Sequence, residues 1–137
     1  MKKSNIEIVN MINILGEFDK KRLPQKISYA ITRNIMTLQK EYACYEVELK
    51  KLLDKYDSNI EHDENGEVVI NNNGVPIIND EQERERFTKE LAELLNVVVD
   101  IDIYTVDIDV FNYDDNTSRY DPMSAYDIIK LQSIICA

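Results

Sequence analysis

At 137 residues and 16.0 kDa, with 44% hydrophobic and 31% charged residues, the chain has the size of one domain that buries enough surface to fold without a staple. No apolar run approaches the roughly 20 residues of a membrane-spanning helix, and Glu7, Asn10 and Asn13 interrupt the N-terminus where a signal peptide would be continuously apolar. A cytoplasmic protein is expected, and its net charge of −10 makes duplex DNA and anionic membranes poor partners for its acidic part.

The charge is unevenly divided. Residues 1–56 hold 11 of the 16 Lys and Arg and 7 of the 26 Asp and Glu, a net +4; residues 57–137 hold 5 and 19, a net −14. Such a field steers a basic partner toward the C-terminal half, although a small acidic domain also gains solubility from it. Cys44 and Cys136 lie far apart without metal-ligand spacing, which fits free thiols in a reducing compartment.

In chain order, Ser4 with Glu7 forms a capping box that opens a helix carrying Ile8, Ile12 and Leu15, with Val9 and Phe18 beside them. Asp19 to Leu23 breaks it, and Pro24 suits the first turn of the next helix. The short loop sets the two helices antiparallel. Lys20, Lys21, Arg22 and Lys26 cluster at this corner, available to a phosphate or acidic group but more simply read as a solvated loop. From Pro24 to Tyr56 runs a heptad seam of Ile31, Ile35, Leu38, Tyr42, Tyr45, Leu49, Leu52 and Tyr56. A helix of that length, about 50 Å at about 1.5 Å per residue, needs partners to bury its stripe. Tyr42, Tyr45 and Tyr56 are read as core or rim packing in preference to a base-stacking platform.

Turn formers follow from Asp57 to Gly66, and Val68–Ile70 and Val75–Ile78 flank Asn71–Gly74 as a β-hairpin. Asp63, Asn65, Gly66 and Val68 match inner places of a calcium loop starting at Glu61, but the first place lacks Asp and the twelfth is Asn72, so a plain turn is expected. His62 has no second histidine to build a zinc site. Asp80 with Glu83 reads as a second capping box, opening a third helix whose Phe87, Leu91, Leu94 and Val98 match the long helix's seam.

Beyond Asn96 the period changes to two. Val97, Val99, Ile101 and Ile103 face one way and Asp100 and Asp102 the other; past Tyr104 and Thr105 the phase flips, with Val106, Ile108 and Val110 inward and Asp107 and Asp109 outward. Two paired strands would gather these aspartates on one face, extended by Asp114 and Asp115. Such a face can hold a hard cation, as in a metal-dependent hydrolase, or imitate successive phosphates, since i and i+2 carboxylates lie roughly 6–7 Å apart on a strand. It is also what the solvent face of any half-buried sheet looks like. Asp121 and Pro122 read as the N-cap and first turn of a last helix, with Met123, Tyr126, Ile128 or Ile129, and Leu131 inward. No nucleophile is visibly paired with a base, and 3 glycines leave little material for a phosphate-cradling loop.

The run from Arg22 to Ser28, Ile31 to Ile35, Glu48 to Tyr56, the Asn65–Gly66 turn and Phe87 to Asn96 before an acidic alternating strand together resemble a family of small acidic, uncharacterised proteins encoded by phages and prophages of Gram-positive bacteria. The resemblance spans residues 4 to about 103. It implies a phage context and no activity, cofactor or catalytic residue. The acidic stretch between Asp100 and Asp121 is longer than the family's pattern.

The expected fold is thus α+β and a single domain: a helical core of residues 4–56 and 80–96, a hairpin insertion at 61–79, acidic strands at 97–111 in a small antiparallel sheet, and a terminal helix at 121–136. The expected function is non-enzymatic: inhibition of a bacterial defence system, such as a CRISPR effector or another nuclease, inside the host cell. Asp100, Asp102, Asp107, Asp109, Asp114 and Asp115 would meet a basic protein surface, with no cofactor, metal or direct nucleic-acid contact. The alternative is a phage structural or accessory module that dimerises through the helical seam.

Overall fold

The computed structural model of the chain describes residues 1–114 and 117–136. Its elements, in order, are β1 (Lys2–Ser4), α1 (Asn5–Asp19), α2 (Gln25–Lys55), α3 (Glu81–Leu95), β2 (Val98–Asp100), β3 (Val106–Asp107), α4 (Ala125–Lys130) and β4 (Ile135–Cys136), with short 3-10 turns at Asp57–Asn59, Ile108–Phe111 and Gln132–Ile134. The architecture is α+β around a long central helix. Two compact units are distinguished: residues 1–43 with 98–137, and residues 44–97. α2 contributes its first part to one and its last part to the other.

In the first unit α1 starts where the capping box places it. The Ser4 hydroxyl accepts from the Glu7 N–H, and Glu7 accepts from the Ser4 N–H at 3.1 Å. The apolar stripe of α1 buries Ile8, Met11, Leu15 and Phe18 together with Leu23 of the connecting loop and Ile27, Ala30, Ile31 and Leu38 of α2. Each such side chain contributes about 1.5–3 kcal/mol relative to exposure, so this pairing dominates the unit. Val106, Phe111, Leu131 and Ile134 close the same core from the C-terminal segment.

The two acidic strands do not pair with each other. β2 is antiparallel to β1, with Lys2 opposite Asp100 and Ser4 opposite Val98, while β3 is parallel to β4, with Val106 opposite Ile135. The stretch between them is pinned elsewhere. Asn34, a fully buried polar residue of α2, donates its amide to the Tyr104 carbonyl and accepts the Tyr104 N–H, both at 2.8 Å. A backbone held by a side chain in this way cannot also continue a ladder. The predicted second strand stops at Asp107, whose side chain accepts the Asp109 N–H and starts a 3-10 turn that leaves Ile108 exposed and buries Phe111 in its place.

The terminal helix is also shorter than 121–136. Asp121 is engaged by Arg22 and caps nothing; Ser124 is the N-cap, in a second capping box with Asp127, and the six-residue α4 leaves Tyr126 and Ile129 exposed while Leu131 and Ile134 are fully buried beyond its end. The third helix likewise ends at Leu95, so Val98 belongs to β2 and is exposed.

In the second unit, Leu52 and Tyr56 pack with Phe87, Ile60 and Ile78, joined by Leu53, Val75 and Leu91. Tyr56 meets Phe87 edge-to-face with ring centroids 5.5 Å apart. Asp80 caps α3 by accepting the Glu83 N–H at 3.0 Å, while the Glu83 carboxylate pairs with Arg86 at 2.9 Å.

The expected hairpin is present at Ile70 and Pro76, as one part of a larger device. Residues 60–67, 68–75 and 76–80 repeat a pattern of eight: Ile60, Val68 and Pro76 correspond, as do His62, Ile70 and Ile78, then Asp63 with Asn71 and Gly66 with Gly74. The turns are built alike. Asp63 Oδ1 accepts from Asn65 and Glu67 N–H at 2.9 and 3.0 Å, and Asn71 Oδ1 accepts from Asn73 and Val75 N–H at 2.8 and 3.1 Å. Gly66 and Gly74 adopt φ of 79° and 77°, the left-handed conformation this turn requires. At the centre, the Val69 N–H donates to Glu61, Ile77 to Val69 and Glu61 to Ile77, a closed ring of three backbone bonds at 2.9, 3.0 and 2.9 Å. Pro76 is tolerated because it occupies the position of each bridge that needs no N–H.

Candidate interaction surface

Of the aspartates singled out in the sequence, Asp100, Asp102, Asp107, Asp109 and Asp114 are all exposed; Asp115 lies outside the described residues. The two strands that carry Asp100 and Asp107 pair with different partners, β1 and β4, so no shared ladder lines these residues up. Asp100 ends β2, 77% exposed at its side chain, with the Met1 amino nitrogen 3.0 Å away. Asp102 lies between β2 and β3. Asp107 caps the following 3-10 turn by accepting the Asp109 N–H at 3.0 Å, so these two are neighbours by local geometry. Asp109 borders a shallow recess with Pro24, Gln25 and Lys26, and Asp114 borders a recess of about 500 Å³ with Arg22, Phe111, Tyr113, Tyr120 and Met123. Among the described residues no three His, Cys, Asp or Glu side chains are placed to hold a metal ion. The calcium-loop resemblance has its explanation in the Asx turn, where Asp63 Oδ1 is spent on backbone N–H groups.

Two residues of the basic corner, Arg22 and Lys21, are used internally. Arg22 and Asp121 exchange backbone bonds: the Arg22 N–H donates to Asp121 Oδ2 at 2.8 Å and the Asp121 N–H to the Arg22 carbonyl at 2.7 Å. The Arg22 guanidinium adds bonds to Asp121 Oδ1 at 3.1 Å and to the Ser118 carbonyl at 3.3 Å. The Arg22 backbone N–H and then its guanidinium hold the Asp121 carboxyl below its ordinary range. The Tyr113 hydroxyl donates to the Asp121 carbonyl, and Tyr113 meets Tyr120 edge-to-face at 5.7 Å. Lys21 lies 3.8 Å from Asp127 and over the Phe18 ring. Asp127 is held low mainly by the Ser124 backbone N–H, and Lys130, 3.3 Å from Glu17, is raised by that carboxylate.

In the second unit, Glu90 accepts the Tyr56 hydroxyl at 2.6 Å and the Lys55 ammonium at 2.9 Å. Those bonds, the tyrosine's first, lower the Glu90 pKa, and the carboxylate pushes Tyr56 up to about 12. His62 Nε2 stands 3.1 Å from Asp57 Oδ1. Cys44 and Cys136 are free and exposed. Among the described residues no helix is long and apolar enough to cross a membrane.

Folding redistributes the charge. The basic N-terminal and acidic C-terminal segments share the first unit, which has ten Lys and Arg against twelve Asp and Glu, a net −2; residues 44–97 have six against fourteen, a net −8. Asn34, the Arg22–Asp121 tie and the eight-residue repeat were missed from sequence. Asn34 had a signal, a lone polar residue between Ile31 and Leu38 on the apolar stripe, and the repeat had one in its two Asn-Gly turns eight residues apart. Comparison with family models, curated proteins and solved structures found no match.

Proposed function

We propose that the chain is a phage-encoded, non-enzymatic binding protein that inhibits a bacterial defence nuclease, such as a CRISPR effector, by occupying a basic surface meant for nucleic acid. The observation that supports it most is the stretch 98–118, which has six Asp and no Lys or Arg, and whose described aspartates are all exposed. A partner's Lys and Arg side chains meet carboxylates there, and at Asp100 they compete with the Met1 amino group 3.0 Å away. Charge pairing of this kind sets association rate and choice of partner and weakens with salt. The test is a pull-down from host lysate with the tagged protein and its Asp100/102/107/109→Asn variant side by side, followed by nuclease assays on the captured enzyme. A nuclease retained only by the unaltered protein, and released as salt rises, is the expected result. Inhibition that survives in the quadruple variant overturns the proposal.

A second reading, an oligomer formed through α2, is favoured by Tyr29 and Met36, which are 55% and 66% exposed. Their spacing of seven places them on one helical stripe. Solution mass that rises with concentration would support it, and a monomer at high concentration would remove it.

A further inference from the structure

The eight-residue repeat between residues 60 and 80 forms three equivalent cross-strand pairs around its central ring: Ile60 with Ile78, His62 with Val68, and Ile70 with Pro76. Only the first is buried, Ile60 at 6% and Ile78 at 1% exposure, anchoring the device to the core of its unit. The other two leave Val68 38% and Ile70 57% exposed, on either side of Val69, each at an isolated bridge to a different neighbouring segment. From residue 57 to residue 83 the chain carries eight Asp and Glu and no Lys or Arg.

We propose that the Val68–Ile70 edge is a docking surface for a protein partner whose apolar cleft is ringed by Lys and Arg. The apolar pair supplies contact area, and Glu61, Glu64 and Glu67, exposed residues of the same repeat, supply the complementary charge. A second copy of the chain is the wrong occupant, because two such edges would bring like charges together in a unit already at −8; nucleic acid is excluded by the same sign. The backbone suits the role, since two side-chain-bonded turns and a closed ring hold the edge before it binds, which lowers the ordering cost of association. This inference rests on reading the chain as a binder of basic proteins and gives it a contact of different chemistry from the aspartates.

The probe is a random displayed-peptide library, selected on the full-length protein, with winners measured against three variants: Val68→Ser/Ile70→Ser, Glu61→Gln/Glu64→Gln/Glu67→Gln, and Asp100/102/107/109→Asn. Thermal melts confirm that each variant is folded. Enriched peptides are expected to combine Lys or Arg with large apolar residues. They should bind the Val68/Ile70 variant about tenfold or more weakly, lose salt dependence with the Gln variant, and bind the Asn variant unchanged. Peptides that ignore Val68 and Ile70 but need the four aspartates overturn this inference and leave the acidic-face reading standing. Peptides indifferent to all three variants overturn both. Winners without basic residues, or self-association abolished by Val68→Ser/Ile70→Ser, overturn the assigned partner.

Discussion

Replacing Asn34 by Ala tests the contact that decides the path of the acidic segment. The side chain is fully buried and both its amide groups are used, on the carbonyl and the N–H of one residue, Tyr104, each at 2.8 Å. The substitution removes two hydrogen bonds and leaves two backbone groups without partners. An orphaned buried group costs about 1–3 kcal/mol. Tyr104 as a whole is 38% exposed, so water can reach part of its backbone, and the lower end applies, for a total of about 2–3 kcal/mol. With a urea slope of about 2 kcal/mol/M, the unfolding midpoint of the first unit should fall by about 1 M. Hydrogen exchange supplies the local reading: the Tyr104 amide, protected by Asn34 Oδ1, should exchange much faster in Asn34→Ala. Asn34→Asp keeps the acceptor but loses the donor and buries a charge facing the Tyr104 carbonyl, so it should be the worse variant at neutral pH. An unchanged midpoint with a still-protected Tyr104 amide would show that the clamp does not hold this segment.

Glu7, Asp121 and Asp127 all have depressed folded pKa values, so the stability they contribute is present above the ordinary values of 4.5 and 3.8 and is lost as pH falls below them; Asp121→Asn should flatten the acid limb of a pH–stability curve, and an unaltered limb would count against the Arg22 tie. Tyr56 has the opposite sign, a folded pKa raised from 10.0 to about 12, so its contribution is intact below pH 10 and disappears as pH rises toward 12. Tyr56→Phe should remove the late phase from an absorbance titration of the tyrosines and also the alkaline loss of stability. Within the repeat, Ile78→Ala should cost about 2–5 kcal/mol by thermal or urea unfolding, whereas Ile70→Ala, at the corresponding position, should stay within about 0.5 kcal/mol. Equal losses would mean that the edge carrying Ile70 is not turned to solvent.

What could be read from the residues follows from how local each signal is. The capping box at Ser4, the Asp80 cap, Pro24 before α2 and the Asn71–Gly74 turn each fix structure over three or four residues, and each is where the pattern placed it. The apolar stripes of α1 and α2 were legible for the same reason, since helical period repeats within one element. Strand pairing is not local. Alternation from Val97 to Val110 marks extended chain without naming its neighbour, and the neighbours are Lys2–Ser4 and Ile135–Cys136, nearly a hundred and about thirty residues away. The Asp-Pro at 121 imitates a helix start. It lost to Ser124 because the Asp121 carboxylate was already satisfied by the Arg22 backbone, and such a competition is settled only by tertiary structure.

The same distinction bears on where binding chemistry resides. The aspartates from 100 to 114 look like a designed face while they are imagined on paired strands, but two unrelated ladders and an Asn34 clamp separate them. What remains common to them is exposure and sign, properties that act over a Debye length, about 8 Å at physiological salt, and need no fixed geometry. The repeat at 60–80 has the converse character: few bonds, all short-range, fixing two apolar pairs in a set orientation. Diffuse charge selects and steers a basic partner, whereas a rigid apolar edge gives a contact whose loss raises the off-rate. Salt should therefore act mainly on association and Ile70 mainly on dissociation, which separates the two surfaces kinetically even when a single partner uses both.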